Sequence, residues 1–107
     1  MNGTYELKLS HSLTDFETLD LVLFEENGIL RGAILELMYR MHIFEDGKLT
    51  DGGFLFSVPA TITLFGDISM ELSGKVEGDM IFGDLVSTMG TFSYNGTRIS
   101  DSVMPLA

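Results

Sequence analysis

Along most of the chain, apolar and polar residues alternate with a period of two, and short clusters of Gly, Asn and Asp interrupt the alternation. This is the pattern of β-strands with one buried face, joined by tight turns. From Thr4 to Ser12, Tyr5, Leu7 and Leu9 face one way while Glu6, Lys8 and Ser10 face the other. Phe16 to Glu25 keeps Leu19, Leu21 and Leu23 in register. Glu26-Asn27-Gly28 then predicts a hairpin, because both central residues of a type I′ turn need positive φ. Ile29 to Leu37 returns. Phe54 to Thr63 aligns Phe54, Phe56 and Val58, and Pro59 removes a ladder donor, which predicts an edge or a bulge. Ile68, Met70 and Leu72 alternate with Ser69, Glu71 and Ser73. Met80 to Ser87 follows, and Phe92 and Tyr94 share a face of the last strand. Further turns are predicted at Asp46-Gly47, Gly52-Gly53, Phe65-Gly66-Asp67, Glu77-Gly78-Asp79 and Thr88-Met89-Gly90.

One segment fits two periods. Ala33, Leu37, Arg40 and Phe44 also line one side of a helix, so Ile29 to Phe44 could hold a helical stretch. Gly32 and the flanking hairpin signals favour strand. The count is then about eight strands with short connections. An open sheet of that size exposes two edges, whereas eight strands can close around an interior that side chains fill or that holds one small ligand. The expected fold is all-β: a closed antiparallel up-and-down barrel over residues 1–100, with a two-sheet sandwich as the alternative. Residues 101–107 have no period and are expected to form a loose tail. Residues 47–52 faintly echo residues 74–79, as if one hairpin solution were used twice.

Composition narrows the function classes. With 107 residues, 45% apolar, there is room for one core and enough hydrophobicity to fill it. Sixteen acidic residues against six scattered basic ones give a formal charge of −10. No basic patch offers itself to nucleic acid or to an anionic membrane surface. There is no cysteine, which removes disulfides, thiolate nucleophiles and cysteine metal ligands together. The first residues lack the basic-then-apolar pattern of a secretory signal, so cytoplasmic residence is expected. The N-x-T sequons at Asn2 and Asn95 are Asn-Gly pairs and read as turn chemistry.

Candidates for catalysis are weak. His11 and His42 have no motif around them, and neither a general base with a partner nor a three-ligand metal site can be assembled from them. Asp46, Asp51, Asp79 and Asp84 sit beside glycines but lack calcium-loop spacing, so turn chemistry explains them better. No phosphate-binding or dinucleotide fingerprint is present. No metal, no cofactor and no enzymatic activity are expected.

The C-terminal third is more specific. Val76-Glu77-Gly78-Asp79-Met80-Ile81-Phe82-Gly83, then Ser87-Thr88-Met89-Gly90-Thr91-Phe92 and Gly96-Thr97-Arg98, resembles a family of small bacterial calycin-like (lipocalin-like) β-barrel domains. Gly3-Thr4-Tyr5 matches that family's opening Gly-Thr-aromatic. The chain departs from it where Thr88 replaces a proline, at Leu64-Phe65-Gly66, and around Leu13 to Phe16. The resemblance implies a barrel found alone or appended to flavin-dependent oxidoreductases, with no activity assigned to the barrel. It also implies that Tyr5 on the first strand lies under Arg98 from the last, a cation–π contact closing one barrel end.

Two functional classes follow. In one, a small apolar ligand sits among Leu7, Leu21, Phe56, Met70, Phe92 and Tyr94. In the other, a filled barrel acts as a structural or accessory interaction domain beside an oxidoreductase. Apolar residues on the outward faces, Val22, Phe24, Met80 and Phe82, predict a homodimer interface.

Overall fold

In the computed structural model, which describes residues 1–10, 16–35, 41–62, 66–87 and 90–104, every regular element is a strand. The strands are β1 (Gly3–Ser10), β2 (Phe16–Glu26), β3 (Ile29–Leu35), β4 (Met41–Thr50), β5 (Gly53–Ile62), β6 (Gly66–Glu77), β7 (Met80–Ser87) and β8 (Gly90–Ser100). Each pairs antiparallel with its neighbours in sequence, and β8 pairs back onto β1, so the sheet is a closed eight-stranded up-and-down barrel. Closure removes the two edges that an open sheet would expose.

The period-two pattern is what fills the interior. Tyr5, Leu7 and Leu9 of β1, Leu19, Leu21 and Leu23 of β2, and Leu30 and Ile34 of β3 all enter one buried cluster. Phe44, Phe54, Phe56, Met70, Leu72, Ile81, Leu85 and Tyr94 complete it from the other strands. No polar or charged residue is fully buried among the described residues. Asn27 (φ 54°) and Gly28 (φ 80°) both take the left-handed conformation that the Asn-Gly hairpin demands.

Close strand approach is built into β6, β7 and β8. Gly74 of β6 faces Gly83 of β7, which faces Tyr94 of β8. A Cβ at Gly83 would run into the Ser73 carbonyl, and one at Gly74 would meet the Tyr94 hydroxyl. Tyr94 therefore lies across two positions without side chains, and its hydroxyl donates to the Ser73 carbonyl at 2.9 Å. An aromatic ring over paired glycines restores packing that glycine forfeits in a sheet.

Several expectations change. Asp46-Gly47 is not a turn: both residues lie inside β4, where Leu30 pairs with Gly47 but Gly32 with Phe44, so β4 carries an extra residue. The turn after β4 is Asp51-Gly52. Gly66 and Asp67 already belong to β6, paired with Ile62 and Thr61. The possible helix across Ile29 to Phe44 is not formed at its ends, which are β3 and β4; residues 36–40 lie outside the described residues, as do His11, Leu13, Phe65 and Thr88. The start of the tail is held, since Thr4 Oγ1 donates to the Ser102 carbonyl at 2.8 Å and the Met104 amide donates to Ser102 Oγ at 3.2 Å.

Candidate functional site

The two barrel ends are built differently. At one end the turns Asn27-Gly28, Asp51-Gly52 and Gly78-Asp79 converge with the first residues of the chain and the exit of β8. Arg98 spans this end. It pairs directly with Tyr5 across the β8–β1 seam, and its guanidinium carbon lies 5.7 Å from the Tyr5 ring centroid. A register shift leaves Ile99 as an extra residue beside this pair. Arg98 Nη2 donates to the Gly78 carbonyl at 3.0 Å and Nη1 to the Asn2 carbonyl at 3.3 Å. Its buried Nε lies 3.2 Å from Asp79 Oδ1, within ion-pair distance though poorly aligned for a hydrogen bond. The Arg98 amide donates to the Asp79 carbonyl at 2.7 Å, fixing the backbone that carries the side chain. Planarity and several donors suit arginine to this multi-point anchoring.

Tyr5 is fully buried beneath the guanidinium, and its hydroxyl donates to the Met1 carbonyl at 2.6 Å. Burial raises its pKa above the ordinary value, the Arg98 charge partly offsets this, and Asp79 adds to the rise. Burial likewise raises Tyr94, with a smaller push from Asp84. Met1, Leu49 and Val76 pack under the same end. The open recess of about 560 Å³ there is lined by Arg98, Thr50, Gly53 and Val76 among others, and the Arg98 guanidinium is already engaged with two carbonyls and two carboxylates.

The opposite end, where β1, β3, β5 and β7 run out, is reached by a wall that is incompletely laced. β5 pairs with β6 at ten positions, Gly53 to Ile62. With β4 it pairs at three, Lys48↔Leu55, Leu49↔Phe54 and Thr50↔Gly53, all beside the Arg98 end. Among the described residues, the two strands have no ladder from Gly47 and Phe56 onward. Pro59, the residue expected at an edge, pairs with Ser69 and has no β4 partner in that set. Inside the unlaced stretch, Phe44 and Phe56 stack with centroids 3.8 Å apart and planes within 6°. Phe54 continues the stack at 5.7 Å from Phe56.

Of the interior candidates, Leu7, Leu21, Phe56, Met70 and Tyr94 all belong to the buried cluster, and Phe92 packs against it half-buried. Leu21, Leu23, Leu72 and Ile81 have no solvent exposure, whereas Leu19 and Met70, nearer the unlaced end, keep 6% and 7%. The outward candidates do not form one patch. Val22 is buried: it sits between Thr4 and Ala33, and the Thr4–Ser102 bond brings the chain after β8 onto that face. Phe24 on β2 is half-buried and lies three strands away from Met80 and Phe82 on β7. Met80, Phe82 and Val86 do form an exposed stripe along β7, beside Thr91, Ser93, Asn95 and Thr97 of β8.

Sequence reasoning missed Phe44, Phe54 and the Arg98 anchors Asn2, Gly78 and Asp79. The Gly78-Asp79 turn was visible, but its placement under Arg98 depends on the β8–β1 bulge. Asp79 thus serves the arginine, and Asp84 accepts from Ser93 Oγ at 3.3 Å on the outer surface. No group of three or more His, Cys, Asp or Glu is placed to hold a metal ion among the described residues. No helix among them is long and apolar enough to cross a membrane. Comparison with protein-family models, with curated proteins and with solved structures finds no match.

Proposed function

We propose that this barrel binds a small apolar molecule in the half of its interior facing away from Arg98. The observation that carries the reading is one-sided closure. One end is tied down by Arg98 over Tyr5, while the wall between β4 and β5 is laced only beside that end. A barrel of eight strands has just enough interior for one small ligand. The chemistry of the lining selects it: the buried positions are apolar, Met70 is an adaptable contact, and Phe92 is half-buried. A charged or strongly polar ligand would find no buried partner among the described residues, and desolvating it would be costly. Leu7, Leu21 and Tyr94 serve as the floor, with Phe56, Met70 and Phe92 closer to the ligand. The likeness to calycin-like barrels, with cytoplasmic residence and a place beside a flavin-dependent oxidoreductase, belongs to the same proposal.

The test is saturable binding of a neutral environment-sensitive dye, N-phenyl-1-naphthylamine, competed by a medium-chain fatty acid. Mass spectrometry of the protein under native and denaturing conditions would look for a co-purifying small molecule. Saturable, competed binding is expected; dye fluorescence that never saturates would remove the reading.

A second reading has its own observation. Met80, Phe82 and Val86 are exposed on a face where Asp84 is the single charge of β7 and β8 between Met80 and Ile99, apart from Arg98 at the lid. On a chain of charge −10 this is a surface suited to a protein partner, including a second copy. Light scattering at micromolar concentration separates the two readings. A dimer that Phe82→Asp dissociates supports an interaction domain.

A further inference from the structure

We infer that the unlaced stretch between β4 and β5 is a gate, and that an apolar molecule reaches the barrel interior by parting Phe44 from Phe56. This rests on the binding reading above and adds the route and the residues that control it. Each of the two strands is anchored on its far side. β5 keeps all ten of its pairs to β6, and β4 keeps Met41 to Phe44 paired with β3. Beyond the Lys48↔Leu55 pair no further ladder pair joins them among the described residues, and the Phe44–Phe56 ring stack does. Parting two stacked rings breaks no ladder bond, so this seam, with the fewest ladder pairs among the described residues, opens at lower cost than a fully laced one.

The surroundings fit a moving wall. The extra residue in β4 falls at Glu45-Asp46, just beyond the end of the β4–β5 ladder at Lys48, and bulges are places where a strand bends and its ladder is interrupted. Glu45, Asp46 and Ser57 are exposed along the seam, so water can satisfy the backbone groups that β4 and β5 do not exchange. Charges and a proline on such edges also discourage pairing with a foreign strand, which leaves the seam to a small molecule. The stack itself favours ligands that can replace an aromatic face: compact rings or short branched hydrocarbons rather than polar molecules.

The natural absence of cysteine allows a clean test. Asp46 and Ser57 lie two residues past the Lys48↔Leu55 pair on their strands, so the double variant Asp46→Cys/Ser57→Cys is tested for locking by oxidation and release by reduction. The control is Glu71→Cys/Val86→Cys, a directly paired position on the laced β6–β7 seam. Uptake of N-phenyl-1-naphthylamine is followed by stopped flow. The oxidised gate variant is expected to take up dye about tenfold more slowly than its reduced form, with the control unchanged by oxidation. If the disulfide does not form or the variant does not fold, Phe44→Leu provides the second arm, with uptake about threefold faster than in the parent. Equal rates in the oxidised and reduced gate variant, or in Phe44→Leu and the parent, overturn the gate while leaving dye binding intact. Absence of saturable binding in every form overturns the binding reading, and the gate falls with it.

Discussion

Strand β5 is bound to β6 along its whole length, at ten positions, and to β4 at only three. The same residues supply both flanks, so strand propensity cannot explain the contrast. On the β6 side, two regular strands meet without a register shift, and alternation alone sets the pairing. On the β4 side, two residues, Glu45 and Asp46, stand opposite Arg31 alone, and the ladder to β5 stops at Lys48, just before this bulge. Among the described residues, β4–β5 is thus the seam with the shortest ladder. The lesson is that a ladder can stop beside a bulge without any change in the hydrophobic pattern.

The contrast is most severely tested by core truncation on either side. Leu72→Ala, on the fully laced β6, should cost about 3 kcal/mol in chemical denaturation, because it leaves a cavity in a wall that cannot relax. Phe44→Leu, at the unlaced seam, should cost nearer 1 kcal/mol, with the loss appearing mainly as local opening. Equal global costs would erase the distinction between the two flanks of β5.

Arg98→Ala sharpens the difference between the ends. The lid combines a cation–π contact with charge-assisted hydrogen bonds to two carbonyls, so a loss of about 1–3 kcal/mol is expected. Asp79 and Asp101 are too exposed to add much. Arg98→Lys should recover only part of this, lacking the planar fork. Full stability in Arg98→Ala would mean that the end is not sealed by that side chain.

Smaller effects lie in the pH dependence. Tyr5 and Tyr94 both have folded pKa values raised above the ordinary value by burial. Their neutral forms are favoured by folding, so this contribution is fully present below about pH 10 and is lost as pH rises through the higher folded values. A spectrophotometric titration should show two tyrosines ionising late, together with unfolding. The smallest effect concerns Asp20, which faces Glu6 across the β1–β2 seam and whose pKa is raised by burial first and by Glu6 second. A raised carboxyl favours the folded state below its unfolded pKa and loses that advantage as pH rises. Asp20→Asn should therefore raise Tm slightly at pH 7, with the gain fading below about pH 4.

Much of this fold was legible in the sequence because an up-and-down barrel needs only alternation and turns, both local signals. Asn27-Gly28 and the run Ile81 to Leu85 illustrate that. Asp46-Gly47 misled because Asp46 sits in a bulge with Glu45 while Gly47 pairs with Leu30, and only the register against β3 separates that from a turn. Val22 misled for a different reason: its neighbour Thr4 is tied to Ser102, 80 residues away in sequence from Val22, and Val22 is buried on that outer face. The candidate site was legible as a set of inward residues, Leu7, Leu21, Phe56, Met70, Phe92 and Tyr94, and not as a route. The stack of Phe44 on Phe56 arises where pairing stops, and no spacing along the chain encodes that.

Native-state amide hydrogen exchange, resolved by residue, measures the central claim directly. Amides of β5 from Phe56 onward that do not bond to β6, and amides of β4 from Phe44 to Gly47 that do not bond to β3, should exchange at least a hundredfold faster than those of Leu72 and Leu85. Uniform protection on both flanks of β5, rising and falling only with global stability, would contradict the account.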